Sequence, residues 1–342
     1  MSKLRLGVVG TNFITDWVIT GARQDERLEL TAVCSRRQET AAAFANKHGI
    51  RHIFTSLDDM ARSPLIDAVY IASPNFLHAS QSNLCMRHGK HVLCEKPLAS
   101  NATEAKEMIA TSKRYNVALM EAMKPTLTPN FLALRNNLER IGTPRRYFAS
   151  FCQYSSRYDT YKQGSLPNTF RPDYSNGATM DIGTYTIYPM IVLFGRPQQI
   201  QASGVLLSSG VDGQAAVNFL YEGMNATVIY SKIANSALPT EIQGEEGFLT
   251  LDRIHTIRSL TFTPRSGTAP GKGLVDKPID LSMPLLWDEY YYEIAEFINL
   301  VRDGRCESEI NSHANSLATL EVIDEIRRQM GVVYPADTFI RI

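Results

Sequence analysis

The stretch that decides the fold runs from Leu4 to Thr15 and reads LRLGVVGTNFIT. Its first part, Leu4–Val9, is mostly apolar, which is typical of a buried strand. Gly10 then permits a tight turn, and the residues after it can begin a helix. The free N–H groups and the dipole at such a helix start attract anions. This stretch therefore predicts a βαβ unit whose turn can hold a diphosphate.

The turn departs from the usual dinucleotide fingerprint. The spacing G-x-G-x-x-G would place glycines at positions 10, 12 and 15, where this chain has Gly10, Asn12 and Thr15. Asparagine tolerates the left-handed backbone conformation better than most residues, so we expect the turn to form without its middle glycine. An ordinary turn between a strand and a helix, without a bound dinucleotide, would have a similar sequence. The candidate dinucleotide-binding residues here are Gly10, Thr11, Asn12, Phe13 and Ile14.

Strand-like and helix-like segments alternate along the first third of the chain. The strand-like runs are Leu28–Cys34, Asp67–Ser73, His91–Glu95 and Val117–Met123, and the helix-like segments are Ala41–His48 and Ala102–Tyr115. This alternation builds right-handed βαβ units and a parallel sheet with helices on both faces. We therefore expect residues 1–123 to form a doubly wound α/β domain.

The pattern changes after residue 123. Strand-like runs follow at Arg145–Gln153, Gln198–Leu207, Gln214–Tyr221, Asn225–Ile233, Phe248–Asp252 and Ser259–Thr263, and helix-like stretches at Glu289–Arg302 and Ser312–Met330. Turns are predicted at Asp212-Gly213, Glu222-Gly223 and Glu246-Gly247, and an exposed loop at Ser266–Pro278. Residues 124–342 are therefore expected to form an α+β domain with a large, mostly antiparallel sheet, whose C-terminal helix can pack back on the first domain.

Composition excludes several classes of protein. The 342 residues contain 35 Lys+Arg and 35 Asp+Glu, so the net charge is zero and no nucleic-acid-binding surface is indicated. No apolar run is long enough for a membrane helix, and we expect no signal peptide at the N-terminus. The five cysteines form no CxxC pair, and the seven histidines show no metal-ligand spacing. We expect a cytoplasmic protein with reduced thiols and no bound metal.

The residues after the second strand indicate the kind of dinucleotide. A carboxylate at this place would bind the ribose 2′-hydroxyl of NAD, but this chain has Ser35, Arg36 and Arg37. A hydroxyl beside guanidinium groups suits a 2′-phosphate, because arginine offers paired donors to phosphate. We therefore expect NADP as the cofactor, with NAD as the alternative, although a solvated helix start would have a similar composition.

Two further segments lie at the predicted carboxyl ends of parallel strands, where such sheets bind ligands. The segment Ser73-Pro74-Asn75 with His78 follows one strand, and Glu95-Lys96-Pro97 ends another. Proline restricts the residue before it to an extended backbone, which keeps Lys96 at the strand tip. A lysine on the rim of a buried sheet is costly unless it has a function. His78 can equally be a packed or capping residue.

These elements together resemble the Gfo/Idh/MocA family of oxidoreductases. The matching elements are the Gly10/Asn12 turn, Ser73-Pro74-Asn75 with His78, Gly89-Lys90-His91-Val92 with Glu95-Lys96-Pro97, Glu121-Ala122-Met123, Phe170-Arg171-Pro172 and Asp181-Ile182-Gly183-Thr184-Tyr185. The resemblance spans nearly the whole chain and implies a Rossmann domain followed by a largely antiparallel domain. We therefore expect further cofactor-binding residues at Ser73, Pro74, Asn75, His78, Glu95, Lys96, Met123 and Arg171.

The resemblance also implies an activity. The family lysine that matches Lys96 sits beside the reacting hydroxyl and the nicotinamide. We therefore expect hydride transfer between NAD(P) and a secondary alcohol or carbonyl of a sugar, polyol or dihydrodiol-like substrate. Most members have histidine in place of Tyr185; tyrosine is similar to the glucose–fructose oxidoreductase and dimeric dihydrodiol dehydrogenase branch. Lys124 stands where relatives often have an aromatic residue, which affects the shape of the substrate pocket.

The predicted catalytic residues are Lys96, Tyr185 and Asp181. Asp181 and Tyr185 are four apart and would share one face of a helix, in which Pro189 would cause a local distortion. We expect Tyr185 to exchange the proton, Lys96 to stabilise charge on oxygen and lower the tyrosine pKa, and Asp181 to orient substrate hydroxyls or the Lys96 ammonium. A half-buried tyrosine on an amphipathic helix is the structural alternative.

Two other functions are compatible with the sequence. One is a non-catalytic dinucleotide-binding regulator, since a galactose-pathway repressor is similar to this family. The other is a redox-neutral enzyme with tightly bound NAD. Candidates for a substrate pocket are Arg157, Tyr158, Tyr161 and Arg171, each of which can equally be a surface or core residue. The family resemblance implies a homodimer or homotetramer paired through the helix-free face of the antiparallel sheet.

Overall fold

The computed structural model describes residues 2–266 and 276–340. The chain forms two compact units, Met1–Lys124 with Trp287–Leu320, and Pro125–Leu286 with Glu321–Ile342. The first unit thus includes Trp287–Leu320, whereas the predicted division after residue 123 placed this segment in the second domain. Most of the loop expected at Ser266–Pro278 lies outside the described residues. No helix in the described part of the chain is long and apolar enough to cross a membrane.

The first unit is built on a parallel sheet. Its strands are β1 (Leu4–Val9), β2 (Leu28–Cys34), β3 (His52–Phe54), β4 (Ala68–Ile71), β5 (His91–Glu95) and β6 (Leu119–Ala122). They pair in parallel in the order β3-β2-β1-β4-β5-β6. The order reverses direction at β1, so the carboxyl ends of β1 and β4 flank the crevice where doubly wound sheets bind ligands. The predicted fold class of this part is confirmed.

Helices cover the parallel sheet. They are α1 (Phe13–Ala22), α2 (Gln38–His48), α3 (Leu57–Arg62), α4 (His78–Arg87), α5 (Ala102–Tyr115) and α9 (Tyr291–Arg302). Val69, Ile71 and Val92 are fully buried beneath them. Helices α1 and α9 pack at close range, because a Cβ atom at Gly21 would lie 2.7 Å from the backbone nitrogen of Tyr291.

The second unit contains a mostly antiparallel sheet, as predicted. Its strands are β7 (Pro144–Cys152), β8 (Gln199–Leu206), β9 (Asp212–Tyr221), β10 (Met224–Ser231), β11 (Thr240–Gly244), β12 (Gly247–Leu251), β13 (Leu260–Pro264) and β14 (Ile279–Asp280). Their order is β14-β13-β12-β11-β7-β10-β9-β8, and only β7 and β10 pair in parallel among these strands. The remaining helices are α6 (Pro129–Asn136), α7 (Tyr158–Lys162), α8 (Thr184–Phe194) and α10 (His313–Met330).

Two features of the sequence-based description differ from the structure. Strands β3, β11 and β14 were not predicted, because each contains only one or two apolar residues and so shows no periodicity of its own. The turn predicted at Asp212-Gly213 is wrong, since both residues begin β9. The Asp212 carboxylate is buried there and accepts hydrogen bonds of 2.7 Å from both the backbone N–H and the hydroxyl of Thr179. That tertiary contact overrides the local preference of Asp-Gly for a turn.

Candidate active site

The glycine turn after β1 lies directly against the end of β4. Gly10 has a φ of +101°, and a Cβ atom there would lie 2.5 Å from the Ala72 carbonyl oxygen. Asn12 is not left-handed as expected but extended, with φ −89°. Its Oδ1 accepts hydrogen bonds from the N–H groups of Ile14 (2.9 Å) and Thr15 (3.4 Å), and its Nδ2 donates to Ala72 O at 3.1 Å. Asn12 therefore forms this turn by capping α1 rather than by replacing a glycine conformation.

A cavity of about 610 Å³ opens beside the starts of α1 and α2. Its lining comprises Thr11, Asp16, Arg37, Glu39, Thr40, Ala43, Phe44 and Lys47. Ser35 is half-buried, while Arg36 and Arg37 are exposed at the end of β2. The Lys47 ammonium lies 2.8 Å from Asp16 Oδ1. A close-approach glycine, a capped helix start and cationic side chains at a cavity fit a dinucleotide that carries a phosphate on its ribose.

His78 connects the segments that follow β4 and β5. It is 1% exposed, and its Nδ1 lies 2.9 Å from Pro97 O and its Nε2 2.8 Å from Ser73 O. Burial lowers the pKa of His78, which favours the neutral ring. A neutral imidazole has one N–H, so it donates to only one of these two carbonyl groups at a time. His78 thus holds the backbone of one segment at a time through its single N–H.

Lys96 directly follows the last residue of β5 and precedes Pro97 through a cis peptide bond. Burial lowers the pKa of Lys96 to about 8, while the carboxyl groups of Glu95 and Glu121 act in the opposite direction. An ordinary lysine has a pKa near 10.4. Lys96 can therefore exist as either amine or ammonium close to neutral pH, as a proton-transfer group requires.

Two buried carboxyl groups, those of Glu95 and Glu121, lie beside the end of β5. Glu95 accepts a 2.5 Å hydrogen bond from the Tyr70 hydroxyl and a 3.2 Å bond from the Lys96 backbone N–H. Glu121 accepts a bond from the Leu98 N–H, and burial raises its pKa to about 7. Burial also raises the pKa of Glu95. These groups hold the backbone on both sides of Lys96.

Lys124, which stands where relatives often have an aromatic residue, forms an ion pair with Glu289 of the same unit. Its ammonium lies 2.6 Å from Glu289 Oε1 and 4.6 Å from the centre of the Tyr290 ring.

Glu293 on α9 is fully buried, and neither carboxyl oxygen has a hydrogen-bond partner among the described residues. Burial, then the charge of Glu95, raise the pKa of Glu293 well above its usual range, which favours its neutral form. Sequence reasoning missed Glu293, Glu289 and Tyr70, because no local pattern distinguishes them.

In the second unit, Asp181 and Tyr185 lie on consecutive but different helical segments. Asp181 belongs to a π-helical turn, Thr179–Gly183, and Tyr185 to α8. The predicted α-helical spacing therefore does not describe this pair, because a π turn is wider than an α turn. The chain also remains helical through Pro189 to Phe194, and the departure from α geometry lies before Tyr185 rather than at Pro189.

The Asp181 carboxylate has a cationic partner that sequence reasoning missed. The Lys232 ammonium forms an ion pair with Asp181 Oδ2, to which the Thr169 hydroxyl also donates at 3.4 Å. The Lys232 side chain is 8% exposed and that of Asp181 31%. Lys232 is 51 residues from Asp181 in sequence, so only the fold brings the pair together.

Aromatic rings position Tyr185. The Phe151 ring meets it edge-on, with 5.7 Å between ring centres, and the His255 ring does so at 6.4 Å. Phe151 and His255 are themselves stacked at 3.7 Å. The half-buried phenol is thus held from the side by a rigid aromatic pair.

The other candidate residues have local partners. Arg171 binds the Asp173 carboxylate through two hydrogen bonds, of 2.9 Å and 2.5 Å, and lies over the Tyr174 ring. Met123 is fully buried, and its carbonyl accepts a hydrogen bond from Asn311. In residues 2–266 and 276–340, no group of three or more His, Cys, Asp or Glu side chains could hold a metal ion.

Two family models of known proteins match this chain, one in each unit. Residues 4–123 match the family model "Oxidoreductase family, NAD-binding Rossmann fold", and residues 133–250 match "GFO/IDH/MocA C-terminal domain". The chain belongs to the Gfo/Idh/MocA oxidoreductase family. The predicted resemblance is confirmed, and the protein is an NAD(P)-dependent oxidoreductase that acts on CH–OH groups.

Curated relatives of this family member extend over almost its full length. A scyllo-inositol 2-dehydrogenase (NADP(+)) of Bacillus subtilis (strain 168) is 48% identical over 98% of this chain and 99% of the relative. A trans-1,2-dihydrobenzene-1,2-diol dehydrogenase of Danio rerio is 32% identical, with 92% of each chain covered. Among solved structures, levoglucosan dehydrogenase in complex with NADH and levoglucosan has a TM-score of 0.84 at 20% identity, with 96% of this chain and 98% of that chain covered. That likeness shows the fold.

Proposed function

We propose that the protein is an NADP-dependent dehydrogenase that oxidises a ring secondary alcohol of a neutral cyclic polyol, of the inositol type, to the ketone. The observation that carries the chemistry is Lys96, fixed at the tip of β5 with its pKa lowered to about 8. The substrate class is supported by the 48% identity to a scyllo-inositol 2-dehydrogenase. A trans-dihydrodiol is the second candidate, supported by the 32% identity to a dihydrodiol dehydrogenase.

The dinucleotide is proposed to lie along the carboxyl ends of β1, β2 and β4. The N–H groups at the start of α1 would bind its diphosphate, and Ser35, Arg36 and Arg37 its 2′-phosphate. When bound, the nicotinamide supplies a hydride acceptor or donor. Further proposed contacts are Thr11, Phe13, Ser73, Pro74, Asn75 and Arg171. His78, Glu95 and Met123 are proposed as positioning residues, since each is buried and holds backbone or neighbouring groups.

The remaining chemistry is assigned to three side chains. In oxidation Tyr185 acts as the phenolate: it takes the proton of the substrate hydroxyl and becomes the phenol, while the Lys96 ammonium stabilises the negative charge that develops on the substrate oxygen. In reduction Tyr185 returns the proton to the oxygen. Asp181 accepts hydrogen bonds from neighbouring substrate hydroxyl groups and so orients the ring. Hydride, proton and electron pair are then all accounted for by substrate, dinucleotide and these residues.

The experiment is a spectrophotometric assay at 340 nm with NADP⁺ or NAD⁺ and a panel containing scyllo-inositol, myo-inositol, glucose and a trans-dihydrodiol. We expect turnover with scyllo-inositol and NADP⁺. Dinucleotide binding without turnover of any member would instead identify a regulator. Nicotinamide dinucleotide that remains bound through purification, with no net redox change, would identify a redox-neutral enzyme.

We also propose a cytoplasmic homo-oligomer. All five cysteines are free thiols, as expected in a reducing compartment. Apolar side chains Val205, Leu206 and Leu220 are exposed on β8 and β9. Pairing of this sheet between two copies would bury them. Light scattering that gives the mass of one chain would contradict the oligomer.

A further inference from the structure

Lys232 is held rigidly at the end of β10. Its backbone N–H donates to Gly213 O, and its carbonyl accepts from the Ser155 N–H, each at 2.8 Å. The neighbouring Ser231 hydroxyl accepts hydrogen bonds from the N–H groups of Ile233 and Ala234. The start of the Lys232 side chain is therefore fixed from both sides.

The Lys232 ammonium pairs with Asp181 where water has limited access. The lysine side chain is 8% exposed, so its charge is stable there only with a close anionic partner. Asp181 Oδ2 is that partner, and the same oxygen accepts from Thr169. Two donors from different segments thus restrict the rotation of the Asp181 carboxylate.

We propose that Lys232 is a positioning residue for polyol binding: its ammonium keeps Asp181 ionised and in one orientation, ready to accept hydrogen bonds from substrate hydroxyls. This rests on the proposed function and deepens it. The pair carries no net charge, so it favours neutral, hydroxyl-rich substrates over acids or amines. Sequence reasoning assigned no role to Lys232, because the contact joins the end of β10 to the π-helical turn.

The test is a double-mutant cycle on the full-length protein with NADP⁺ and the panel polyol that the wild type oxidises. The variants are Lys232→Met, Asp181→Asn and their combination, with Lys232→Arg as the conservative variant. Lys162→Met is the matched control, because Lys162 pairs with Asp159 at 2.7 Å in the same unit but is half exposed.

We expect Lys232→Met to raise KM for the polyol about tenfold or more, with a smaller fall in kcat and an unchanged KM for NADP⁺. Lys232→Arg should restore most of the affinity, and Lys162→Met should match the wild type. In the Asp181→Asn background, Lys232→Met should have little further effect. If Lys232→Met does not fold, Lys232→Gln, which keeps a hydrogen-bond donor, takes its place.

Several outcomes would overturn the proposal. A lower melting temperature with unchanged KM would make the pair purely structural. Effects that multiply in the double variant would mean that Lys232 acts independently of Asp181. If the wild type oxidises a panel polyol while Lys232→Met leaves KM unchanged, only the role of Lys232 fails and the proposed function stands. A wild type inactive on the whole panel would contradict both.

Discussion

The carboxyl group of Glu121 accepts a hydrogen bond from the backbone N–H of Leu98, with 3.0 Å between Leu98 N and Glu121 Oε1. This bond joins the end of β6 to the segment that follows Lys96. Glu121 is 2% exposed, and burial raises its pKa to about 7. The candidate catalytic lysine is therefore supported by an acid that is costly to ionise.

Glu121→Gln should stabilise the protein at high pH. The folded-state pKa of about 7 lies above the unfolded value near 4.3. Between these two pH values the folded protein binds more protons than the unfolded chain, so its stability falls as the pH rises from about 4.3 to about 7. Glutamine keeps an acceptor for Leu98 and cannot ionise. We expect the free energy of unfolding in urea to rise by roughly 1–3 kcal/mol at pH 8 and to be unchanged near pH 4. Glu107→Gln, exposed on α5, is the control, and an equal gain at both pH values would contradict this account.

Lys96→Met should remove most of the activity. Methionine keeps the length of the side chain but provides no charge to stabilise the substrate oxygen. We expect turnover to fall by about two orders of magnitude or more, with the dissociation constant for NADPH within about twofold of wild type. Lys113→Met, exposed on α5, should be unaffected. Near-normal turnover of Lys96→Met would remove this residue from the mechanism.

Carbonyl reduction should depend on pH through Lys96. Its pKa of about 8 means that the ammonium is lost as pH rises through that value. Because reduction places negative charge on the substrate oxygen, kcat/KM for the ketone with NADPH should fall tenfold per pH unit above about 8. Lys96→Arg stays charged, so its slower reaction should show no such fall up to pH 10. A profile for the wild type that is flat between pH 7 and 10 would be inconsistent with this role.

Gly10→Ala should impair the dinucleotide turn. Alanine is strained at φ +101°, and its Cβ would lie 2.5 Å from Ala72 O, so the turn must move. We expect a loss of about 2 kcal/mol or more in stability and a weaker affinity for NADPH, measured by fluorescence titration. Gly49→Ala is the matched control, since Gly49 also has a positive φ, +62°, but a Cβ atom there would have no neighbouring atom within 4 Å. Equal loss of NADPH affinity in both variants would show that backbone strain, rather than close approach, is responsible.

Arg37→Ala should shift the preference from NADP⁺ toward NAD⁺. Arg37 is exposed and lines the cavity beside α1 and α2, where the 2′-phosphate is proposed to lie. Loss of a charge-assisted hydrogen bond, roughly 1.5–3 kcal/mol, should raise KM for NADP⁺ by about tenfold or more and leave KM for NAD⁺ within about twofold. Arg51→Ala, strongly exposed in the same unit, is the control. An equal rise for both dinucleotides would place Arg37 elsewhere than at the 2′-phosphate.

Elements with strong local signals were predicted with the observed bounds. Strands β1, β2 and β5 are short, mostly apolar runs, and α5 is flanked by asparagines with defined roles. Asn101 Oδ1 accepts from the Glu104 N–H at 3.0 Å, and Asn116 terminates the helix with a φ of +52°. In such elements the signal lies within a few residues, so it can be read along the chain.

Side chains that act through distant partners could not be predicted. Asp212 lies in a strand because Thr179, 33 residues away, satisfies its carboxylate. Glu293 and Lys232 belong to a helix and a strand end that carry no motif, and their importance appears only from what they face. Asn12 matched the predicted position but acts through its side chain, because Ala72 O and the start of α1 both lie within its reach.

Apolar periodicity and a few short motifs, read along the chain alone, determined the two kinds of sheet, the family and the candidate residues Lys96, Asp181 and Tyr185. They could do so because burial of a strand and the chemistry of a motif are properties of neighbouring residues. Only the tertiary structure decided the electrostatics of those residues: Glu121, which acts on Lys96, and the ammonium beside Asp181 come from other segments of the chain. A pKa or an ion pair depends on distance in space and on exclusion of water, and neither is defined until the chain has folded.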